Sequence, residues 1–170
     1  MGEVLNRSAD DAIWATLADV PDPEIPVVSV VDLGIVRAFR WDGDTLEVDV
    51  TPTYSGCPAT SVISISVETA LLQSGIEKVR IKTVLSPAWT TDWITDEARE
   101  KLKAYGIAPP VNGTSCAGML RMDGAATLDI DCPRCGSSDT ERVSQFGSTP
   151  CKASYRCKDC LEPFDYFKSF

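Results

Sequence analysis

At 170 residues and 18.4 kDa the chain has room for one ordinary domain, or a small domain with an appendage, which excludes a large multidomain enzyme. Its 44% hydrophobic and 24% charged residues fit a soluble globular protein rather than a disordered tail or a membrane protein. Sixteen basic against twenty-five acidic residues leave a net charge of -9, which argues against a nucleic-acid-binding surface.

The charge is unevenly placed. Residues 1–131 hold 10 basic and 20 acidic side chains, whereas residues 132–170 hold 6 and 5, so two modules are expected. The chain has no histidine. That removes Ser-His-Asp and Cys-His hydrolysis, imidazole general bases, Cys/His zinc sites and the histidine ligands of carboxylate di-iron bundles. Any metal must then be held by thiolate or oxygen. No 18-residue apolar stretch occurs, and "MGEVLNRSADD" has no apolar core for a signal peptide, so a cytoplasmic location is expected. In a reducing compartment seven cysteines read as metal ligands or reactive thiols before disulfides.

In chain order, Ser8 is positioned to cap a first helix, with Asp11 three residues on and Ile13, Trp14 and Leu17 at helical spacing. Pro21 ends it, and Pro21, Pro23 and Pro26 force an ordered extended loop. "IVRAFRWDGDTLEVDV" reads as a hairpin turning at Asp42-Gly43-Asp44, with Leu46, Val48 and Val50 alternating on the return strand. Pro58 fits a first helical position, which puts Cys57 at the N-cap of a helix running to Leu72 and stopping at Gly75. "EKVRIKTVL" is a third strand. Thr95 caps a last helix with Asp96 and Glu97 in its first turn and Lys101, Lys103 and Gly106 at its end. The order α-β-β-α-β-α predicts an α+β fold: a small two-layer domain over residues 1–108, a Pro/Gly linker over 109–131 and a four-cysteine β module over 132–170.

The strongest local signal is "CPRCG" followed by "CKDC". Cys132 and Cys135, then Cys157 and Cys160, form two C-x-x-C knuckles, and four thiolates so spaced surround one ion when a hairpin joins the knuckles. The pattern is that of a zinc ribbon. An all-thiolate site also suits iron or an iron-sulfur cluster. Cys151 lies between the pairs, as an extra ligand, a thiol at the site's edge or a small buried apolar side chain. At a helix N-cap, Cys57 would lie at the positive end of the dipole, where a thiolate is favoured as a nucleophile, redox thiol or transient metal ligand. Asp22 and Glu24 are either oxygen donors near that thiol or ordinary turn residues. Trp89 and Trp93, four apart, are an exposed aromatic partner surface or core residues.

Together, "DPEIPVVSVVDLGIV", the hairpin and "TPTYSGCPAT" resemble the small iron-sulfur assembly domain to which the SufT proteins belong. With "PAWTTDWITDEAREKLKAYGIAPP", "CPRCGS" and "FGSTPCKASYRCKDCLEPFDYFK", the resemblance extends over nearly the whole chain to the PaaD family of bacterial phenylacetate catabolism. It implies an accessory role in the activity of the multicomponent phenylacetyl-CoA epoxidase, a di-iron oxygenase whose reductase subunit carries an iron-sulfur cluster. The implied task is assistance in assembling iron or iron-sulfur centres, without catalysis. The implied partners are the oxygenase or reductase subunits and other iron-sulfur assembly proteins. The resemblance places Asp22, Glu24 and Cys57 at the family's motif positions, as a transient iron or cluster site, and the four tail cysteines in its ribbon. Family members carry histidines beside the position of Cys116 that this chain lacks, so no Cys/His site is expected there. A non-catalytic scaffold subunit and an electron-transfer component with an iron-loaded tail are the alternative readings.

Overall fold

In the computed structural model, which describes residues 4–54, 56–111 and 130–168, the chain opens with α1 (Val4–Ala18). The helix starts ahead of Ser8, which therefore lies within it instead of capping it; residues 4–7 hold no proline or glycine to stop it. Ile13 and Leu17, one turn apart, are buried, and the Trp14 ring packs 5.3 Å from that of Phe39.

The proline-rich loop after α1 is ordered by side-chain acceptors, because three prolines deprive it of backbone donors and bar it from continuing the helix. The buried Asp22 carboxylate accepts the N–H groups of Glu24 at 2.9 Å and Ile25 at 2.8 Å through Oδ1. Ser29 and Asp32 cap each other reciprocally, backbone N–H to side-chain oxygen, at 3.0 Å in both directions. Between these turns Ile25, Val28, Val30, Leu33 and Ile35 are all at most 1% exposed, so the loop is a core element despite its lack of regular structure.

β1 (Val36–Asp42) and β2 (Thr45–Val50) form the expected hairpin, with Asp42 opposite Thr45 and Gly43 turning at φ +63°. α2 (Thr60–Gln73) then leads to β3 (Val79–Thr83), which lies parallel to β2 and makes β2 the central strand. One face of β2, Leu46, Val48 and Val50, is 0% exposed. α2 buries Ile63, Val67 and Leu71, spaced by four residues. On the other face of β2 Glu47 and Asp49 meet Arg40 and Arg80, with Arg40–Glu47 and Arg40–Asp49 at 2.8 Å and Arg80–Glu47 at 2.7 Å. Both arginines are largely exposed, so these solvent-screened pairs add little to stability and serve mainly to fix which face is wet.

Beyond β3 the chain passes Trp89, whose indole N–H donates to the Leu33 carbonyl at 2.8 Å. Here the first of two compact units ends: residues 1–89 form one and 90–170 the other. The second unit contains α3 (Asp96–Tyr105), capped as expected by Thr95, whose hydroxyl accepts the Ala98 N–H at 3.1 Å, and closed by Gly106 at φ +95°. It continues through β4 (Ile107–Ala108), β5 (Thr140–Ser144), β6 (Lys152–Cys157) and β7 (Pro163–Phe167). The sheet order is β4-β7-β6-β5.

The expected grouping put α3 in the first domain and the division at residue 108; the structure groups α3 with the tail. The reason is that β4 pairs in parallel with β7, Ile107 opposite Asp165 and Ala108 opposite Tyr166. The Arg99 guanidinium also donates to the carbonyls of Thr91 at 2.7 Å and Pro110 at 2.6 Å. Ala108, Ile130, Ala153, Tyr155, Phe164 and Tyr166 share a core with Cys132 and Cys157. The linker expected at 109–131, and Cys116 within it, lie mostly outside the described residues. Among the described residues no helix is long and apolar enough to cross a membrane.

Trp89→Phe keeps the ring but leaves the Leu33 carbonyl without its buried donor. The first unit should lose about 1–3 kcal/mol, read as a lower urea midpoint by circular dichroism with little change in slope.

Candidate metal centre

The tail cysteines converge as their spacing predicted. The sulfur atoms of Cys132, Cys135, Cys157 and Cys160 all lie within 4.8 Å of one another. Cys132 Sγ is 3.7 Å from Cys160 Sγ, and Cys135 Sγ is 3.6 Å from Cys157 Sγ. Four sulfurs at about 2.3 Å from a tetrahedral ion stand about 3.8 Å apart, so the cage fits one ion. Cys132 and Cys157 are buried, and Cys135 and Cys160 are exposed, which anchors one sulfur of each knuckle in the core and leaves the other at the surface.

Each knuckle is held by its own backbone. The Cys132 N–H donates to Ser137 O at 2.8 Å and the Gly136 N–H to Cys132 O at 2.9 Å; the Cys157 N–H donates to Glu162 O at 3.0 Å. The residue after the second cysteine is left-handed in both knuckles, Gly136 at φ +76° and Leu161 at φ +62°. A leucine is strained there, by roughly 1 kcal/mol, and the matching backbone geometry shows what the turn requires. The knuckles are also tied to each other. Ser137 Oγ donates to Asp159, and Lys158 reaches Asp139 twice, N–H to O at 2.9 Å and Nζ to Oδ1 at 2.8 Å. Sequence reasoning missed these ties, whose only signal is a polar residue beside each C-x-x-C.

Without an ion the four thiols cannot all ionise at such close range. The Cys160 N–H, 3.5 Å from Cys157 Sγ, leads the effects that hold the Cys157 thiol down to about 7. The Ser137 backbone favours the Cys135 thiolate, but burial and hydrogen bonding with the other three sulfurs push that thiol up to about 12. A dication replaces those protons and lets all four sulfurs bind it as thiolates.

Cys151 is not part of this centre. It immediately precedes β6 and Cys157 ends it, and at roughly 3.3 Å per residue an extended strand separates them by about 20 Å. Cys151 is 5% exposed, with its sulfur 3.0 Å from Thr149 Oγ1, and its carbonyl accepts the Lys168 N–H at 3.0 Å.

In the first unit, Cys57 is not the N-cap. α2 begins at Thr60, with Ala59 at its N-cap in right-handed helical conformation. Cys57 sits one turn earlier, its N–H on Tyr54 O and its carbonyl accepting from the N–H and hydroxyl of Thr60. Among the described residues no side chain caps α2; the Thr60 hydroxyl donates back to the Cys57 carbonyl, and Pro58 and Ala59 form a turn ahead of the helix instead of its first residues. Cys57 is half-buried, on the loop that leaves the carboxyl end of β2.

The Asp22 loop is hydrogen-bonded to the same end of the sheet. Thr51 N–H, just past β2, donates to Ile35 O; Ile35 N–H donates to Val30 O, Val30 N–H to Val20 O, and Asp22 N–H to Val28 O. Asp22 itself shapes its loop through the two N–H groups it accepts, and Glu24 beside it is half-buried. Among the described residues Asp22, Glu24 and Cys57 do not close into a preformed cage like that of the tail cysteines. Trp89 is 5% exposed and Trp93 half-buried, so the exposed Trp89/Trp93 platform does not form; the hydrogen bond to Leu33 draws Trp89 into the core.

A family model described as an iron-sulfur cluster assembly protein matches residues 10–84, and one described as a PaaD zinc beta ribbon domain matches residues 119–168. An Escherichia coli (strain K12) protein, named as a "Putative 1,2-phenylacetyl-CoA epoxidase" component, is 49% identical, with 92% of this chain and 90% of that protein covered. The chain belongs to the PaaD family. Its two matched regions fall in the two units separately. A Deinococcus radiodurans iron-sulfur cluster carrier protein is 35% identical over 43% of this PaaD-family chain but over only 21% of the carrier, so that likeness is confined to one region. A crystal structure of a domain of unknown function from Bacillus anthracis, DUF59, aligns with 56% of this chain and 92% of its own length at a TM-score of 0.52 and 25% identity.

Replacing Cys132 or Cys157 with serine should abolish metal retention and unfold the second unit, since a structural ion of this kind contributes on the order of 10 kcal/mol, while residues 1–89 stay folded. Cys151→Ser should keep the wild-type metal content by elemental analysis. Because protons are displaced on binding, metal affinity should fall about tenfold or more for each pH unit on going from pH 8 to 6, measured by competition with a chromogenic chelator.

Proposed function

We propose that this PaaD-family chain is a maturation factor of the multicomponent phenylacetyl-CoA epoxidase that handles iron or an iron-sulfur cluster in transit at Cys57. The observation that carries this reading is the pairing, in one family member, of a closed thiolate cage with a separate, half-exposed cysteine on a loop at the carboxyl end of a strand. The closed cage suits a permanent ion. Zinc fits it best, because it needs no vacant position and performs no redox chemistry. The close sulfur spacing also favours a single ion over a multi-iron cluster, whose irons would hold the sulfurs further apart. With zinc in the cage, an electron-transfer role for the tail loses its support.

Cys57 would give the cargo a sulfur ligand, with Glu24 and Asp22 as acidic groups at the same end of the sheet. A partial ligand set holds a soft ion less tightly than four thiolates, which suits release to an acceptor. The chain lacks the histidines of a di-iron oxygenase centre, so the reaction itself belongs to the partner subunits. The oxygenase or reductase subunit is the recipient, together with other iron-sulfur assembly proteins upstream.

The relative's name, which makes it part of the epoxidase itself, favours a second reading in which the chain is a structural subunit. Cys57→Ser separates the two. On the maturation reading it should fold and keep its tail metal while the iron content and activity of the co-expressed epoxidase fall several-fold. On the subunit reading the client's iron is unchanged and the chain co-purifies with the oxygenase in fixed ratio. Asp22→Asn refines the test, because it keeps the oxygen that organises the loop and removes the charge.

A further inference from the structure

α2 is apolar on two sides. Ile63, Val67 and Leu71 face the core, yet Val62, Ile65 and Leu72 are 49%, 62% and 44% exposed. At about 100° per residue, Val62, Ile65, Thr69 and Leu72 fall within an arc of about 80° opposite the buried stripe and run about 15 Å along the helix. The helix carries a single charged residue, Glu68. An exposed apolar stripe of this kind, left uncovered by its own unit, marks an interaction surface.

The stripe begins one turn beyond Cys57, whose carbonyl caps Thr60. Delivery of metal from Cys57 requires a ligand of the acceptor to approach that sulfur to bonding distance. The surface beside Cys57 is therefore covered by the acceptor at the moment of transfer.

Resting on the maturation reading, we infer that the outer face of α2 is the surface on which the iron-sulfur acceptor protein docks, aligning its thiols with Cys57. Charge decides against a second copy of the chain. Residues 1–89 hold six basic and thirteen acidic residues, a net charge of -7, so two such units repel each other. The complementary partner surface is an apolar patch rimmed by lysine or arginine, beside the acceptor's cysteines.

The test uses the full chain with its tail metal in place, under anaerobic conditions, and takes the apo reductase subunit of the epoxidase as probe. Val62→Asp/Ile65→Asp should weaken binding to that probe in calorimetric titration by roughly tenfold or more, because a charge buried in an apolar contact loses its hydration. Its own iron loading and tail metal content should match wild type. Cys57→Ser should lose iron loading yet bind within about twofold of wild type.

Equal binding by wild type and the charge variant overturns the inference, as does failure of wild type to bind the probe. A wild-type dimer in sedimentation that the charge variant dissolves also overturns it, in favour of self-association. Binding through this face without iron loading by wild type would sink the Cys57 reading and leave the docking surface standing. Should the charged variant lose helical circular dichroism, the milder Val62→Ser/Ile65→Ser pair provides the same comparison with an expected weakening of about threefold or more.

Discussion

Four sulfurs brought within 4.8 Å of one another are the constraint on which the second unit depends. Thiolates that close repel each other, so the arrangement is stable only with a cation among them or with protons retained, as the high Cys135 and low Cys157 values express. An ion there clamps the open end of the hairpin formed by β5 and β6, since Cys157 ends β6 and the Cys132 knuckle lies ahead of β5. β6 carries Ala153 and Tyr155 into the core, β7 pairs with β6, and the two-residue β4 pairs with β7. α3 is thus held in the second unit through a chain of contacts that begins at the metal cage.

The first unit rests on a different principle. Its central strand buries three aliphatic side chains completely, and a proline-rich loop supplies five more nearly buried ones. The carboxylates of Asp22 and Asp32, with the hydroxyl of Ser29, replace the backbone hydrogen bonds that prolines and irregular backbone withhold. Here Asp22 of the conspicuous D-P-E run has a structural task that would persist without any metal. Asp22 is buried in that task, whereas Glu24 and Cys57 are both half-buried.

The parts legible in the sequence were those set by short spacing. Two C-x-x-C knuckles fix the geometry of four sulfurs locally, Asp42-Gly43-Asp44 sets a hairpin, and Thr95 with Gly106 brackets a helix by capping chemistry. Features that depend on distant pairing were not legible. Nothing local in Ile107 and Ala108 tells that they pair with Asp165 and Tyr166, so spacing alone does not group α3 with the tail. Trp89 and Trp93 share a helical spacing but no helix, because Trp89 is recruited by the Leu33 carbonyl 56 residues away. Cys57 shows a subtler failure: Pro58 suits a first helical turn, but Pro58 and Ala59 fold as a turn and α2 starts only at Thr60.

That displacement alters the chemistry available to Cys57. A cysteine at the N-cap would direct its sulfur into the unpaired N–H groups of the first turn, and its thiolate would be stabilised by the protein itself. One turn earlier, Cys57 engages the helix through its carbonyl, which accepts the N–H and hydroxyl of Thr60. On the proposed reading the two metal-handling sites then divide along physical lines. The tail supplies four thiolates and excludes further ligands. The Cys57 loop supplies one, so any soft ion bound there keeps coordination positions open, and a second protein can take them before the first bond breaks. Exchange of ligands between two proteins needs such vacancy, and a chain without imidazole achieves it by offering fewer ligands.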